Sequence, residues 1–257
     1  MSKQNDCPGL EVRHCAFFFD VDGTLAEIQP RPELVFIPPR SLAALERLHL
    51  SEIPVAVISG RPLSQIDDLL SPLRLPAAGV HGAERRTAAG ETLQPILDRD
   101  AFDAIQHELA QACAEHPGLA LENKGVAFAL HFRLAPELEE TARALAEAFV
   151  ERFGDVLALQ PGKCVFELKP RGASKGEVIR AFMQEAPFKG RIPVFVGDDL
   201  TDEAGFKVVN ELGGLTIKVG SGATEATRRL ASVEAVGAWL DELLSALSEL
   251  PISNKTD

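Results

Sequence analysis

The stretch CAFFFDVDGT, Cys15–Thr24, decides the fold of this chain. Its first five residues, Cys15–Phe19, are apolar at successive positions, which suits a strand buried on both faces, as in a parallel sheet covered by helices. Asp20 and Asp22 leave the strand two residues apart, and Gly23 lets the chain turn sharply behind them. Ligands of open parallel sheets bind outside the carboxyl ends of the strands, so chemistry is expected at this exit. Two carboxylates at one strand end repel each other unless something cationic lies between them.

The same texture continues outward. A helix over Pro38–Leu50, a run Ile53–Ile58, a short helix Pro62–Leu70 and a run Pro76–Val80 alternate as an α/β protein does. From Glu84 the pattern changes, because Glu84–Thr87 and Glu91–Gln94 flank an Ala-Ala-Gly turn and read as a hairpin, a connection made by antiparallel strands. A helix follows, with Phe102, Ile105, Leu109 and Ala112/Cys113 at helical spacing. Then come strands around Leu119–Leu121 and Val126–Phe132, a helix Pro136–Phe153, and strands Val156–Gln160 and Cys164–Lys169. This ββαββαββ order is a compact α+β unit.

After Pro170 the first texture returns: a helix Lys175–Gln184, the run Ile192–Val196, a helix Asp202–Leu212, the run Leu215–Val219, and helices through Ala223–Leu230 and Val233–Leu247. The fold class is therefore α/β, a parallel Rossmann-like core sheet flanked by helices, with an inserted α+β cap. The expected division is 1–82 plus 171–257 for the core and 83–170 for the cap, with a frayed tail at Pro251–Asp257. Trp239, on the last amphipathic helix, reads as core packing.

Composition narrows the function. The 257 residues hold 26 Lys+Arg against 38 Asp+Glu, a net charge of −12 that disfavours nucleic acid and anionic membrane as partners. Cys7, Cys15, Cys113 and Cys164 form no CxxC pair, which fits reduced thiols and apolar fillers rather than a disulfide framework or a zinc site. MSKQNDCPGLEVRHC lacks the apolar stretch of a leader, and no run approaches the roughly 20 residues that span a bilayer, so a soluble, cytoplasmic monomer is expected.

Three further strand exits carry unusual residues. Ile58-Ser59-Gly60-Arg61-Pro62 sets a hydroxyl and a guanidinium before a helix. In Arg171-Gly172-Ala173-Ser174-Lys175-Gly176-Glu177, Ser174 and Glu177 form an S-x-x-E capping box, placing Lys175 in the first turn of a helix. A lysine there opposes the helix dipole, an arrangement that makes sense if cation and free N–H groups together address a phosphate. Gly197-Asp198-Asp199-Leu200-Thr201-Asp202 adds three carboxylates to Asp20 and Asp22 on one rim, a repulsion that a hard divalent cation, Mg²⁺, would relieve.

Asp20-x-Asp22-Gly23-Thr24, Ser59, Lys175 and Gly197-Asp198-Asp199-x-x-Asp202, in that order, resemble the four signature motifs of the haloacid dehalogenase-like phosphatase superfamily, and the long insertion resembles its α/β cap. Within it the chain is most similar to trehalose-6-phosphate phosphatases, from about Phe17 to Leu244. That narrowing rests on Ser59-Gly60-Arg61-Pro62, Gly79-Val80-His81-Gly82-Ala83-Glu84, Glu122-x-Lys124-Gly125, His131-x-Arg133, Glu167-Leu168-Lys169-Pro170 and Gly172-x-x-Lys175-Gly176.

The resemblance implies Asp20 as nucleophile, Asp22 as general acid and base, and Ser59 and Lys175 on the phosphoryl oxygens. It implies Mg²⁺ held by Asp20, the Asp22 carbonyl and Asp198, with Asp202 and Asp199 at or behind the ion. Glu122, Lys124 and Glu167 would bind the disaccharide, with Gly60, Arg61, His81, Arg133 and Asp199 as further contacts. The crossings near Gly82–Glu84 and Pro170–Gly172 would hinge an open and a closed form. A capped phosphatase for sucrose-phosphate or a hexose phosphate shares the core motifs. A non-catalytic phospho-aspartate signalling domain shares only an aspartate at a strand end, and the cap and Asp22 count against it.

Overall fold

A computed structural model of the chain describes residues 11–94 and 98–249; the expectations for Cys7 and for the tail 251–257 lie outside them. In chain order, β1 (Cys15–Phe19), α1 (Pro39–Leu50), β2 (Val55–Ile58), α2 (Leu63–Leu70), β3 (Ala77–Gly79), β4 (Glu84–Arg86) and β5 (Thr92–Leu93) come first. The middle of the chain forms α3 (Arg99–Ala114), β6 (Ala120–Asn123), β7 (Phe128–His131), α4 (Glu139–Phe153), β8 (Leu157–Gly162) and β9 (Val165–Pro170). The last part forms α5 (Lys175–Phe182), β10 (Ile192–Gly197), α6 (Glu203–Glu211), β11 (Leu215–Val219), β12 (Arg228–Leu230) and α7 (Val233–Glu249).

All of β1 is buried, and strand alternation sends Phe17 and Phe19 to one face of the large sheet and Phe18 to the other. The first face packs on α1, α2 and α7, where Trp239 meets the rings of Phe17 and Phe19 edge-on at 6.2 and 6.4 Å. The second packs on α5 and α6 through Ile179, Phe182, Phe206 and Val209. The sheet order is β12-β11-β10-β1-β2-β3-β4-β5, parallel from β12 through β3, so the apolar runs are covered on both sides as their composition requires.

Two expectations are corrected here. The hairpin β4/β5 does not belong to the inserted unit, because β4 pairs antiparallel with β3 and extends the large sheet. Arg86 fixes it there: its buried guanidinium forms a bidentate pair with Asp67 of α2 and bonds the Leu75 carbonyl. The boundary near Gly82 therefore moves past β5, and the first described element of the small unit is α3. The helix expected over Ala223–Leu230 is instead a turn followed by β12, which covers the open edge of β11. Hydroxyl exchange between Thr216 and Thr227 and the grip of Arg229 on the Gly220 and Gly222 carbonyls supply its polar contacts.

The small unit is an antiparallel sheet in the order β6-β7-β9-β8. Phe128, Leu130, Phe166 and Leu168 cover one face and pack on α3 and α4 with Ile105, Leu109 and Phe149. The opposite face turns toward the large sheet. There Val126 and Ala127 meet Val80 and Ala83, and β8 lies against the turn Leu200–Asp202. Cys15 and Cys113 sit in the two apolar cores. Among the described residues no helix is long and apolar enough to cross a membrane.

Candidate active site

The carboxyl ends of β1, β2, β3 and β10 converge under the polar face of the small sheet. Asp20 follows β1, its N–H bonded to the Val196 carbonyl of β10 at 2.9 Å. Lys175, the first residue of α5, is buried, with Nζ 2.7 Å from Asp20 Oδ1 and 2.6 Å from Asp202 Oδ1. The sequence logic for that lysine holds in part: Ser174 caps the helix by accepting from the Glu177 N–H at 3.1 Å, and the lysine turns inward. Asp202 has no exposed surface, and its Oδ2 accepts the N–H groups of Asp198 and Asp199 at 3.0 and 2.9 Å. Both glycines of the motifs make room. A Cβ on Gly23 would stand 2.1 Å from Asp198 Oδ2, and one on Gly197 would stand 2.4 Å from Asp202 Cγ.

The electrostatics of this cluster follow from crowding. Burial pushes the Asp20 carboxyl well up, Asp202 and Asp198 add to it, and Lys175 opposes them. Burial likewise lifts Asp198 to about 7, with Asp202 and Asp199 pushing the same way. For Lys175 burial works against the charge, but Asp20 and Asp202 outweigh it and hold the ammonium well above its ordinary value. Asp20, Asp198 and Asp202 each offer an oxygen within 4.8 Å of the others, and the buried Oδ1 of Asp198 has no hydrogen-bond partner. An all-oxygen, charge-crowded set with an idle lone pair fits a hard divalent cation.

Asp22 and Arg61 face each other across the rim. The guanidinium takes both carboxylate oxygens, Nε to Oδ2 at 2.6 Å and a terminal nitrogen to Oδ1 at 2.7 Å. Ser59 is buried beneath them, and its Oγ accepts the Arg61 N–H at 3.2 Å, which leaves its own proton free to donate.

The small sheet closes the site from above. Glu167 of β9 reaches Lys124 Nζ at 2.6 Å and His81 Nε2 at 2.7 Å, and Lys124 also bonds the Gly60 carbonyl at 3.0 Å. Two non-glycine residues in left-handed conformations, Val80 (φ 49°) and His81 (φ 55°), present that imidazole, and the missing side chain of Gly60 leaves space for the ring. Burial lowers His81, so at neutral pH it is a neutral imidazole, with Nε2 in close polar contact with Glu167 Oε2 and Nδ1 without a partner among the described residues. Burial works against the Glu167 charge, yet His81 and Lys124 bring the carboxyl down to about 2.

The structure thus gathers Asp20, Asp22, Ser59, Gly60, Arg61, His81, Lys124, Glu167, Lys175, Asp198 and Asp202. Glu122 stands on the same small sheet, half-buried and pulled down by its 2.9 Å bond to His131. One expected contact lies apart: Arg133 is exposed and reaches the Lys163 carbonyl within its own unit. Asp199 stands beside Asp198 and raises its carboxyl, but spends its own Oδ1 on the Leu200 N–H. Lys218 was missed: from β11 it donates to the Asp198 carbonyl, and its signal was a lysine inside a buried-type apolar run. Glu84 caps α2 by accepting the Leu63 N–H at 2.9 Å.

Known proteins resemble this chain along most of its length. The family model described as Trehalose-phosphatase matches residues 18–234. The chain is 50% identical to the trehalose-6-phosphate phosphatase of Escherichia coli (strain K12), over 98% of this chain and 94% of that protein. It is 40% identical to a probable trehalose-phosphate phosphatase of Sinorhizobium fredii, over 94% and 91%. A crystal structure of a trehalose-6-phosphate phosphatase related protein superposes with a TM-score of 0.76 at 27% identity, over 91% of this chain and all of that one.

Proposed function

The chain belongs to the trehalose-phosphatase family, and on that premise we propose that it hydrolyses trehalose 6-phosphate to trehalose and inorganic phosphate, with Mg²⁺ and through an aspartyl-phosphate on Asp20, as the last step of trehalose biosynthesis. The observation that carries this reading is the buried Asp20–Lys175–Asp202 cluster at a strand-end rim, roofed by the Glu167–Lys124–His81 contact.

Asp20 attacks phosphorus, forming an O–P bond as the bond from phosphorus to the sugar oxygen breaks, and Asp22 delivers its proton to that oxygen. Asp22 then takes a proton from water, whose oxygen attacks phosphorus and releases Asp20 as a carboxylate. Arg61 engages both oxygens of Asp22, so it orients the carboxyl group, and the pair must part for each proton transfer. Ser59, with its free hydroxyl proton, and Lys175 hold the phosphoryl oxygens, where charge grows during transfer.

Mg²⁺ would be held by Asp20, Asp198 and the Asp22 carbonyl, while Asp202, occupied by Lys175 and two backbone N–H groups, orients the set. When bound, the ion supplies positive charge beside the phosphoryl oxygens and the crowded carboxylates. Glu122, Lys124 and Glu167 bind sugar hydroxyls, and His81 positions Glu167.

The test is Mg²⁺-dependent phosphate release from trehalose 6-phosphate beside sucrose 6-phosphate and glucose 6-phosphate, with Asp20→Asn as the blank. Release from the first alone, abolished by EDTA and by the substitution, is the expected result. Equal release from all three would remove the substrate assignment, and none from any would remove the enzymatic reading.

A further inference from the structure

Lys169 is a buried cation to which the catalytic account gives no task. It stands on β9 two residues after Glu167, and strand alternation turns both side chains away from the Phe166 and Leu168 core of the small unit, toward the large sheet. Only 5% of Lys169 is exposed. Across the β8 pairing its neighbour is Ala158, which offers no charge. Glu167 already takes Lys124 and His81, and among the described residues no hydrogen bond or ion pair reaches the Lys169 ammonium. The charged groups that act on it are Glu167 from its own strand and Lys175 from α5; burial, with Lys175 adding to it, draws it down to about 8 against the pull of Glu167.

A buried ammonium without a counter-charge destabilises the fold that holds it, unless a ligand brings the missing anion. Sugar hydroxyls bring dipoles but no charge. The phosphoryl group is the one fully charged part of a sugar phosphate, and in the account above it already meets Lys175, the other cation near Lys169.

Resting on the phosphatase reading, we propose that Lys169 is a phosphoryl-contacting residue supplied by the small unit, so that Lys175 from α5 and Lys169 from β9 grip the phosphoryl group from opposite sides and closure of the small sheet depends on phosphate rather than on sugar. Its place in the chain suits that task. Lys169 immediately precedes Pro170 and the return to the large sheet through Gly172, whose φ of 85° is a glycine conformation, so a pull on its ammonium acts at the crossing itself. Once phosphate departs, the lysine again lacks a counter-charge, which favours opening and release.

The experiment measures affinity of the full chain, in magnesium-containing buffer, for two separate probes: inorganic phosphate and trehalose. Lys169→Met is expected to weaken phosphate by about tenfold or more, the scale of one lost charge-assisted hydrogen bond, and to leave trehalose within about twofold. Lys169→Arg is expected to restore phosphate binding, which a purely structural role for the alkyl stem would not require. Lys169→Gln, closer in polarity, serves if the Met variant does not fold. A phosphate affinity unchanged in these variants, a parallel loss for trehalose, or a failure of arginine to restore would each overturn the proposal. Because inorganic phosphate is the probe, this result is independent of the sugar: wild-type protein that releases no phosphate from trehalose 6-phosphate refutes the substrate, not the role of Lys169.

Discussion

Glu167→Gln isolates the contact that ties the small sheet to the large one. Glu167 is buried, its two oxygens lie 2.6 Å from Lys124 Nζ and 2.7 Å from His81 Nε2, and its carboxyl is drawn from 4.5 to about 2. Each pH unit of depression corresponds to about 1.4 kcal/mol, so the full shift is worth about 3 kcal/mol. A neutral His81 contributes a polar contact without an opposite charge, which brings the expected value to about 2 kcal/mol. The sign is fixed by the direction of the shift. A carboxyl depressed in the folded state adds stability that is complete above pH 4.5 and fades as the pH falls toward 2, where both states are protonated. Glutamine cannot titrate. Urea unfolding followed by far-ultraviolet circular dichroism, at pH 7 and at pH 3, should show wild type ahead of the variant by about 2 kcal/mol at pH 7 and by roughly half of that at pH 3. His81 and Glu122 feel the Glu167 charge, so the difference between the gaps belongs to this carboxylate together with the neighbours it acts on. An equal gap at the two pH values, or none at pH 7, would refute the assignment of Glu167 as an ionised latch between the units.

Lys169→Met should stabilise the ligand-free protein at pH 7 by about 2 kcal/mol, several degrees in Tm, because the wild-type lysine is depressed to about 8 and its charge costs the folded state most below that pH. The advantage should shrink as the pH rises from 8 toward 10.5, and a variant that melts lower than wild type at pH 7 would contradict the burial argument. Gly23→Ala combines a φ of 84° with a Cβ placed 2.1 Å from Asp198 Oδ2, so phosphatase activity should fall by about 100-fold or more while circular dichroism stays native; retained activity would show that Asp198 can move without cost. Trp239→Ala removes the ring that packs on Phe17 and Phe19 on the α7 face of the sheet, and should cost about 3–5 kcal/mol in urea unfolding with KM unchanged.

What the sequence revealed and what it hid divide along a physical line. β1 and the Asp20–Asp22 exit were legible because an apolar run of that length has one comfortable environment and its polar exit is local. The same holds for Lys175, whose capping serine and helix start lie side by side in sequence. The hairpin β4/β5 was legible as strands but not as part of the large sheet, since alternation specifies which residues face a core and not which strand they pair with. Its partner was chosen by Arg86 reaching Asp67 on α2, a contact no local pattern encodes. Arg61 and Asp22 were each singled out, yet their mutual clamp joins positions 39 residues apart. Ala223–Leu230 misled because alanine and arginine favour helix, while the exposed edge of β11 offered backbone hydrogen bonds that outweighed that preference. Lys169 and Lys218 were the hardest to place, because a lysine in a strand is ordinarily at the surface and only the packing of two sheets shows otherwise.

The molecule does not spread its unsatisfied groups evenly. Among the described residues Asp198 Oδ1 and His81 Nδ1 lack partners, Lys169 has no ion pair or hydrogen bond at its ammonium, and the adjacent Val80 and His81 occupy left-handed conformations, all where the small sheet meets the rim of the large one. Elsewhere among the described residues most buried polar groups are answered, as in the Arg86–Asp67 pair and the Glu84 cap on α2; Thr24 Oγ1, Glu203 Oε1 and Trp239 Nε1 are exceptions. Unmet charge beside a strained turn is what a ligand can relieve, and relief in both units at once is what couples occupancy to closure. A substrate with a charged end satisfies the cationic roof and the crowded rim together, whereas its dephosphorylated product satisfies only the sugar contacts. The difference in free energy between those two states is then the drive that opens the site after turnover, and it comes from groups the fold has left incomplete.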